Sequence, residues 1–291
     1  MGMLRCSEVS INYRCFGTGK NVVLIHGLAA NQAFWNPLLV NTLVERYRVT
    51  VYDLRGHGYS SMPKSGYTSA DMAEDLRLLL DEIADGPIHA VGHSFGGLVA
   101  LHYALQHPQR VSSITLADVR VRALQPTQSS SDWPPREAAR RILEECGMVV
   151  PDDVEEAGLW ILEQLASPQW QQVREDLKSK IRHLPWGKSK RSADQWLALL
   201  QQTTARDDFL AVAGLTAEAL ATIEQPTLGL YGEYSPARRS LEGLIGILPH
   251  FQSEVIAGAG HFFPMGRPKL FADQVKAFLG DVDHRTVRSE E

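Results

Sequence analysis

Residues 89–104 read HAVGHSFGGLVALHYA, and the fold turns on how this stretch divides. Its first part continues the apolar run IHAVGHS (88–94), which has the length and composition of a buried strand. Its second part, LVALHYALQHP (98–108), has helical character until Pro108 stops it. Between them Gly92-His93-Ser94-Phe95-Gly96 matches G-x-S-x-G. A serine at the apex of so sharp a strand-to-helix turn has a strained backbone, and bulky side chains in place of Gly92 or Gly96 would clash. The N-terminus of the helix that follows offers free N–H groups and the positive end of a dipole to a developing oxyanion.

Outward from this turn, five more runs look like strands: NVVLIHG (21–27), RVTVYDLRG (48–56), VSSITLAD (111–118), PTLGLYG (226–232) and FQSEVIAGAG (251–260). Their richness in Val, Ile and Leu suits strands buried on both faces of a parallel sheet. CSEVSINYRCF (6–16) alternates in polarity and reads as one or two antiparallel edge strands. Helical patterns lie between. TSADMAEDLRLLLDEI (68–83) has Thr68 or Ser69 as its cap and sets Met72, Leu76, Leu79 and Ile83 on one face. PARRSLEGLIGILP (236–249) opens and closes with proline, and RPKLFADQVKAFLG (267–280) ends on Gly280, leaving a polar, frayed tail. Strands alternating with helices predict an α/β fold with a mostly parallel, doubly wound sheet. Residues 119–225 interrupt this rhythm with helical patterns and no convincing strand, too long for a plain loop. They read as a helical cap inserted into a core made of residues 1–118 and 226–291.

Composition narrows the classes. The chain has 291 residues, 44% hydrophobic and 22% charged, enough for one large core with an inserted subdomain. A net charge of −5 argues against nucleic acid or an anionic membrane as the main partner. No run approaches the ~18 apolar residues of a membrane span, and the first residues lack the apolar core of a signal peptide. Cys6, Cys15 and Cys146 leave one thiol over in any disulfide scheme, which suits a reducing, cytoplasmic setting.

With this context the chain resembles the α/β-hydrolase superfamily from about Val22 to Leu279, the insert excluded. Further matches are His26-Gly27 closing the strand VVLIHG, Asp53-Leu54-Arg55-Gly56-His57-Gly58-Tyr59-Ser60 as the D-x-R-G-x-G-x-S loop, and Gly258-Ala259-Gly260-His261-Phe262 as a histidine-bearing loop. The resemblance implies Ser94 as nucleophile, His261 as its base, and the backbone N–H groups of Leu28 and Phe95 as oxyanion donors. His26 then supports the oxyanion loop, His93 points away into the sheet, and Asp53 and Arg55 brace their loop as a charged pair. His57 is a candidate cavity wall to which the family motif gives no catalytic role.

The family's acid usually follows PTLGLYG, in a pattern G-x-x-D. Here the fourth position is Ser235, which cannot stabilise an imidazolium as a carboxylate does. Asp118, at the end of VSSITLAD, stands where some relatives, including a subset of haloalkane dehalogenases, place the acid. Glu233 is the alternative acid, and a Ser–His dyad or an inactive site the third. An aspartate at a strand-to-helix junction can also be a plain capping residue.

The implied activity is cleavage of a carboxylic ester, lactone or thioester through an acyl-enzyme. C–C bond hydrolysis, cofactor-free haloperoxidase chemistry and a non-catalytic, receptor-like ligand-binding role stay open. Epoxide hydrolase and dehalogenase chemistry would need an aspartate at position 94. Five of the six tryptophans, Trp133, Trp160, Trp170, Trp186 and Trp196, fall in the insert, as helix packing or as walls of a pocket for an apolar acyl or aromatic group. Lys178, Lys180, Arg182, Lys188, Lys190 and Arg191 form a basic cluster there, either a solvated surface or a site for an anionic substrate such as a coenzyme A thioester. Neither oligomeric state nor exact substrate is encoded legibly. No cofactor is implied, and no HExxH or paired-cysteine spacing marks a metal site. Turnover is therefore expected to survive dialysis against a chelator unchanged, and loss that zinc restores would contradict this.

Overall fold

Strands β1 (Gly2–Cys6), β2 (Val9–Phe16), β3 (Lys20–Ile25), β4 (Tyr47–Tyr52), β5 (Ile88–His93), β6 (Val111–Ala117), β7 (Thr227–Gly232) and β8 (Phe251–Ile256) form one sheet in this computed structural model. Their order is β1-β2-β4-β3-β5-β6-β7-β8. Strand β2 runs antiparallel to both β1 and β4, and every other pairing is parallel. The structure describes residues 2–6, 9–35, 37–127, 144, 145, 147, 149, 156–171 and 190–290. Trp133, Cys146, Lys178, Lys180, Arg182, Trp186 and Lys188 lie outside the described residues.

The apolar runs from β3 to β7 are buried along nearly their whole length, as parallel strands covered on both faces must be. FQSEVIAGAG departs from the expectation. Strand β8 is the sheet's edge, and most of it faces solvent; its Gln, Ser and Glu keep that edge polar. One face of the sheet is packed by helices α2 (Ser69–Ile83) and α3 (Phe95–Gln106), the other by α1 (Pro37–Leu43) and the C-terminal helix Pro268–Glu290. Of the two candidate caps of α2, Thr68 is the one used. Its hydroxyl accepts the Asp71 N–H at 3.1 Å, and the Asp71 carboxylate accepts the Thr68 N–H at 3.0 Å.

Between β6 and β7 the described residues hold helices and no strand, with α4 (Ala157–Ala166), α5 (Pro168–Gln171), α6 (Lys190–Gln202), α7 (Ala205–Asp208) and α8 (Ala217–Leu220). Cys6 and Cys15 are free thiols. Among the described residues no helix is long and apolar enough to cross a membrane.

The last helix corrects the sequence reading. It runs through Gly280 to Glu290 instead of ending in a frayed tail. A glycine costs a helix only about 1 kcal/mol, and contacts beyond it more than offset that. Leu279 and Val282 are buried. The Asp283 carboxylate accepts from Lys20 Nζ at 2.6 Å and from the Tyr47 hydroxyl at 2.9 Å. His89 Nε2 stands 3.4 Å away at ion-pair range, and its Nδ1 meets the Ser113 hydroxyl at 2.7 Å. One carboxylate thus ties the helix to the starts of β3, β4 and β5.

Burial alone would push the Asp283 carboxyl up; His89, Lys20 and Tyr47 outweigh it and hold it well below the usual carboxylate range. The unfolded chain then binds a proton that the native state refuses. The stabilisation is full above about pH 4 and fades as pH falls towards the depressed native value. Asp283→Asn should lower stability at pH 7 by on the order of 1–2 kcal/mol in a denaturant titration. The gap from wild type should narrow as pH falls below about 4; an unchanged gap would rule this account out.

Candidate active site

Ser94 is the hinge between β5 and α3. Its backbone has φ 53° and ψ −123°, a region L residues avoid. The glycines around it are required by close approach. A Cβ on Gly92 would lie 2.5 Å from the Gly96 carbonyl and the Gly97 nitrogen, and one on Gly96 would collide with the carbonyls of Ile25 and His26. A Cβ on Gly27 would reach to 2.9 Å from that of Ser94. The motif therefore presses the end of β3 against the turn and brings the loop after His26 beside Ser94. The N–H of Phe95 opens α3 and has no intrahelical partner.

Asp118 follows β6, also at positive φ (55°), with its side chain wholly buried. Its carboxylate takes three donors. Oδ1 accepts the His261 Nδ1–H at 2.7 Å and the Ser235 hydroxyl, and Oδ2 accepts the Gly232 N–H at 2.9 Å. Bonding at Nδ1 leaves the lone pair of a neutral His261 ring on Nε2. Glu233 lies elsewhere. It is exposed, and its carboxylate accepts the Gly258 N–H at 2.6 Å, which steadies the His261 loop from outside without touching the ring. Ser235, at the position where an aspartate was expected, donates its hydroxyl hydrogen bond to Asp118 and accepts the Ala237 N–H at 2.9 Å.

His93 does not point away from the site. Its Nε2–H donates to the His261 carbonyl at 3.0 Å, and its ring stacks on Phe34 with centroids 4.4 Å apart. Burial, reinforced by His261 nearby, holds its pKa well below the ordinary value. The Asp53–Arg55 pair is not formed either. Asp53 is enclosed by donors, the side chains of Asn12 and Gln32 and the N–H groups of Gln32 and Tyr59, at 2.6–3.2 Å. Arg55 instead grips Asp75 of α2 bidentately, at 2.6 and 2.5 Å. Two residues apart on one loop, the side chains diverge to partners on different elements.

The loop after β3 and the loop after β4 are joined by their histidines. His26 Nε2 accepts the Leu54 N–H at 3.0 Å and its Nδ1–H donates to the Gly27 carbonyl at 2.8 Å. His57 Nε2 accepts the Ala29 N–H at 3.0 Å and its Nδ1–H donates to the Arg55 carbonyl at 2.9 Å. Leu28 N–H stays outside this network, and its side chain is half-buried.

An aromatic chain leads from the turn to the helices described between β6 and β7. Phe95 meets Phe209 edge-on at 5.3 Å, and Phe209 stacks on Trp196 of α6 at 5.7 Å. Trp196 in turn lies 5.9 Å from His57. Trp170 is buried and Trp160 half-buried among these helices. Of the basic cluster, Lys190 pairs with Asp194, and Arg191 lies 4.2 Å above the Tyr59 ring. Among the described residues no group of His, Cys, Asp and Glu could hold a metal ion.

The family model described as alpha/beta hydrolase fold matches residues 20–268. The chain is 29% identical over 277 residues to a pimeloyl-[acyl-carrier protein] methyl ester esterase of Aeromonas hydrophila, covering 94% of this chain and 100% of that protein. It is 45% identical over 101 residues to a putative carbamate hydrolase, RutD, of Variovorax paradoxus; that match spans 34% of this chain and only 38% of the relative. Among solved structures, Est816, described as an N-acyl homoserine lactone degrading enzyme, superposes with a TM-score of 0.68 at 25% identity, over 95% of this chain and 100% of that one.

The steric account of the turn has a direct check. Gly96→Ala should cost about 1–3 kcal/mol or more, because the colliding atoms are backbone carbonyls that cannot swing aside. Gly266→Ala, with open space around the added carbon, should be near neutral in the same denaturation experiment. Equal effects would refute the close-packing argument.

Proposed function

We propose that this chain, which belongs to the α/β-hydrolase fold family, is a serine hydrolase that cleaves a carboxylic ester, lactone or thioester through an acyl-enzyme. The observation that carries the reading is the 2.7 Å bond from His261 Nδ1–H to the buried Asp118 carboxylate. Ser94 Oγ attacks the substrate carbonyl carbon while His261 Nε2 takes its proton. Asp118 stabilises the imidazolium that forms. The N–H groups of Phe95 and Leu28 receive the tetrahedral oxyanion, where preorganised donors are worth most. His261 then returns the proton to the departing alcohol or thiol, leaving the acyl group on Ser94. Water, deprotonated by His261, attacks that acyl carbon and releases a carboxylic acid and the free serine.

The relatives named as a methyl ester esterase and a lactone degrading enzyme support an ester-type bond. Residues 119–225 would be a cap over this site, and the contacts of Trp196 and Phe209 with Phe95 favour a substrate with an apolar acyl or aromatic part.

Ser94→Ala should abolish hydrolysis of p-nitrophenyl esters, with a loss of roughly 10⁶ in turnover, and should block labelling by a fluorophosphonate. Asp118→Asn should cost about 10⁴ by holding His261 in the wrong tautomer. Glu233→Gln and Ser235→Ala should each stay within about tenfold of wild type. A nearly silent Asp118→Asn beside a crippled Glu233→Gln would move the acid to the other strand end.

A further inference from the structure

Two histidines outside the Ser94, His261 and Asp118 set form a reciprocal arrangement. His26 belongs to the loop after β3 and accepts an N–H from the loop after β4, at Leu54. His57 belongs to the loop after β4 and accepts an N–H from the loop after β3, at Ala29. Each ring donates its other proton to a carbonyl of its own loop, at Gly27 and Arg55. The rings meet edge to face with centroids 5.4 Å apart, and both are buried. We propose that His57 is a positioning residue: with His26, whose support of this loop the resemblance already implies, it completes a cross-brace that fixes the Gly27–Ala30 turn and thereby aims the Leu28 N–H at the oxyanion. The proposal rests on the serine-hydrolase reading above.

The turn needs such a brace. Ala29 is held at φ 64°, a conformation an alanine leaves readily unless its surroundings impose it. The bond from its N–H to His57 pulls the turn into that shape. The adjoining Ala30 N–H reaches the Gly27 carbonyl at only 3.4 Å, a weak closure by itself. Both Nε2 atoms must remain unprotonated to accept. Burial lowers both rings, and with His26 nearby it pushes His57 down to about 3, so acceptance persists at neutral pH. His57 is also gripped from the helical insert, with Trp196 and Phe209 at 5.9 and 6.4 Å from its ring.

The test separates acceptor from packing. His57→Phe keeps an aromatic ring against Trp196 and Phe209 but removes the acceptor. His57→Gln restores an acceptor near the position of Nε2. A donor misaimed in the transition state lowers kcat, so the Phe variant should lose about 10–100-fold in kcat on p-nitrophenyl butyrate with KM within about threefold. The Gln variant should recover to within about fivefold of wild type. If His57→Phe does not fold, His57→Gln against His57→Asn reads the same property, because the shorter amide cannot reach Ala29. Gln should then exceed Asn about tenfold in kcat. A folded Phe variant with wild-type kcat, a Gln variant no better than Phe, or equal Gln and Asn variants would overturn the brace. Ser94→Ala, assayed alongside, distinguishes the failures: full turnover there sinks the hydrolase reading itself, whereas an inactive Ser94→Ala with an active His57→Phe sinks only the brace.

Discussion

A carboxylate buried away from solvent must be met by donors, and the wholly enclosed side chain of Asp118 is the constraint around which this end of the sheet is built. Its three donors come from two places, the end of β7 and the His261 loop. Removing any one would leave a buried oxygen poorly paired, a cost of about 1–3 kcal/mol or more for a charged group. The demand reaches into the backbone. Asp118 N–H is fixed to the Leu230 carbonyl at 2.8 Å, and the Tyr231 hydroxyl holds the Val119 carbonyl at 2.8 Å. The carboxylate is thus aimed by the β6–β7 pairing, and the ring of His261 is aimed by the carboxylate.

Much of this was legible in the sequence. Apolar runs of strand length marked every core strand because both faces of a parallel sheet must be covered, and the glycines around Ser94 marked a turn that only glycine permits. Asp118 could be singled out because Ser235 occupied the alternative place. The pairing of Ser235 with Asp118 could not be read, since a hydroxyl 117 positions away in sequence carries no local signal of its partner. The same limit hid the true partners of Asp53, Arg55 and His93, whose side chains are directed by tertiary packing. Strand β8 was misjudged because an edge position is a property of the whole sheet. The helix through Gly280 was missed because a glycine is weak punctuation against the burial of Leu279 and Val282.

Backbone strain is concentrated where the site is. Four described non-glycine residues have positive φ, and Ala29, Ser94 and Asp118 are three of them. Each such residue costs of order 1–3 kcal/mol and persists only where its surroundings over-determine it. Here the surroundings are identifiable. Close-packed glycines confine Ser94, the β7 backbone confines Asp118, and His57 confines Ala29.

The anchoring of Asp283 bears on how the chain is made. Lys20 and Asp283 are 263 positions apart, and Tyr47 and Asp283 are 236 apart. A ribosome releases β3, β4 and β5 long before it releases the residue that ties their starting ends together. The edge of β6 waits as well, because its neighbour β7 begins at Thr227, after more than a hundred intervening positions. Until then the strands β1–β6 can form only a half-sheet with an unpaired border at β6, and exposed strand edges of this kind favour aggregation and chaperone binding. The sheet is completed from the C-terminal side, and the starting ends of β3, β4 and β5 are covered only when the helix bearing Asp283 docks on them.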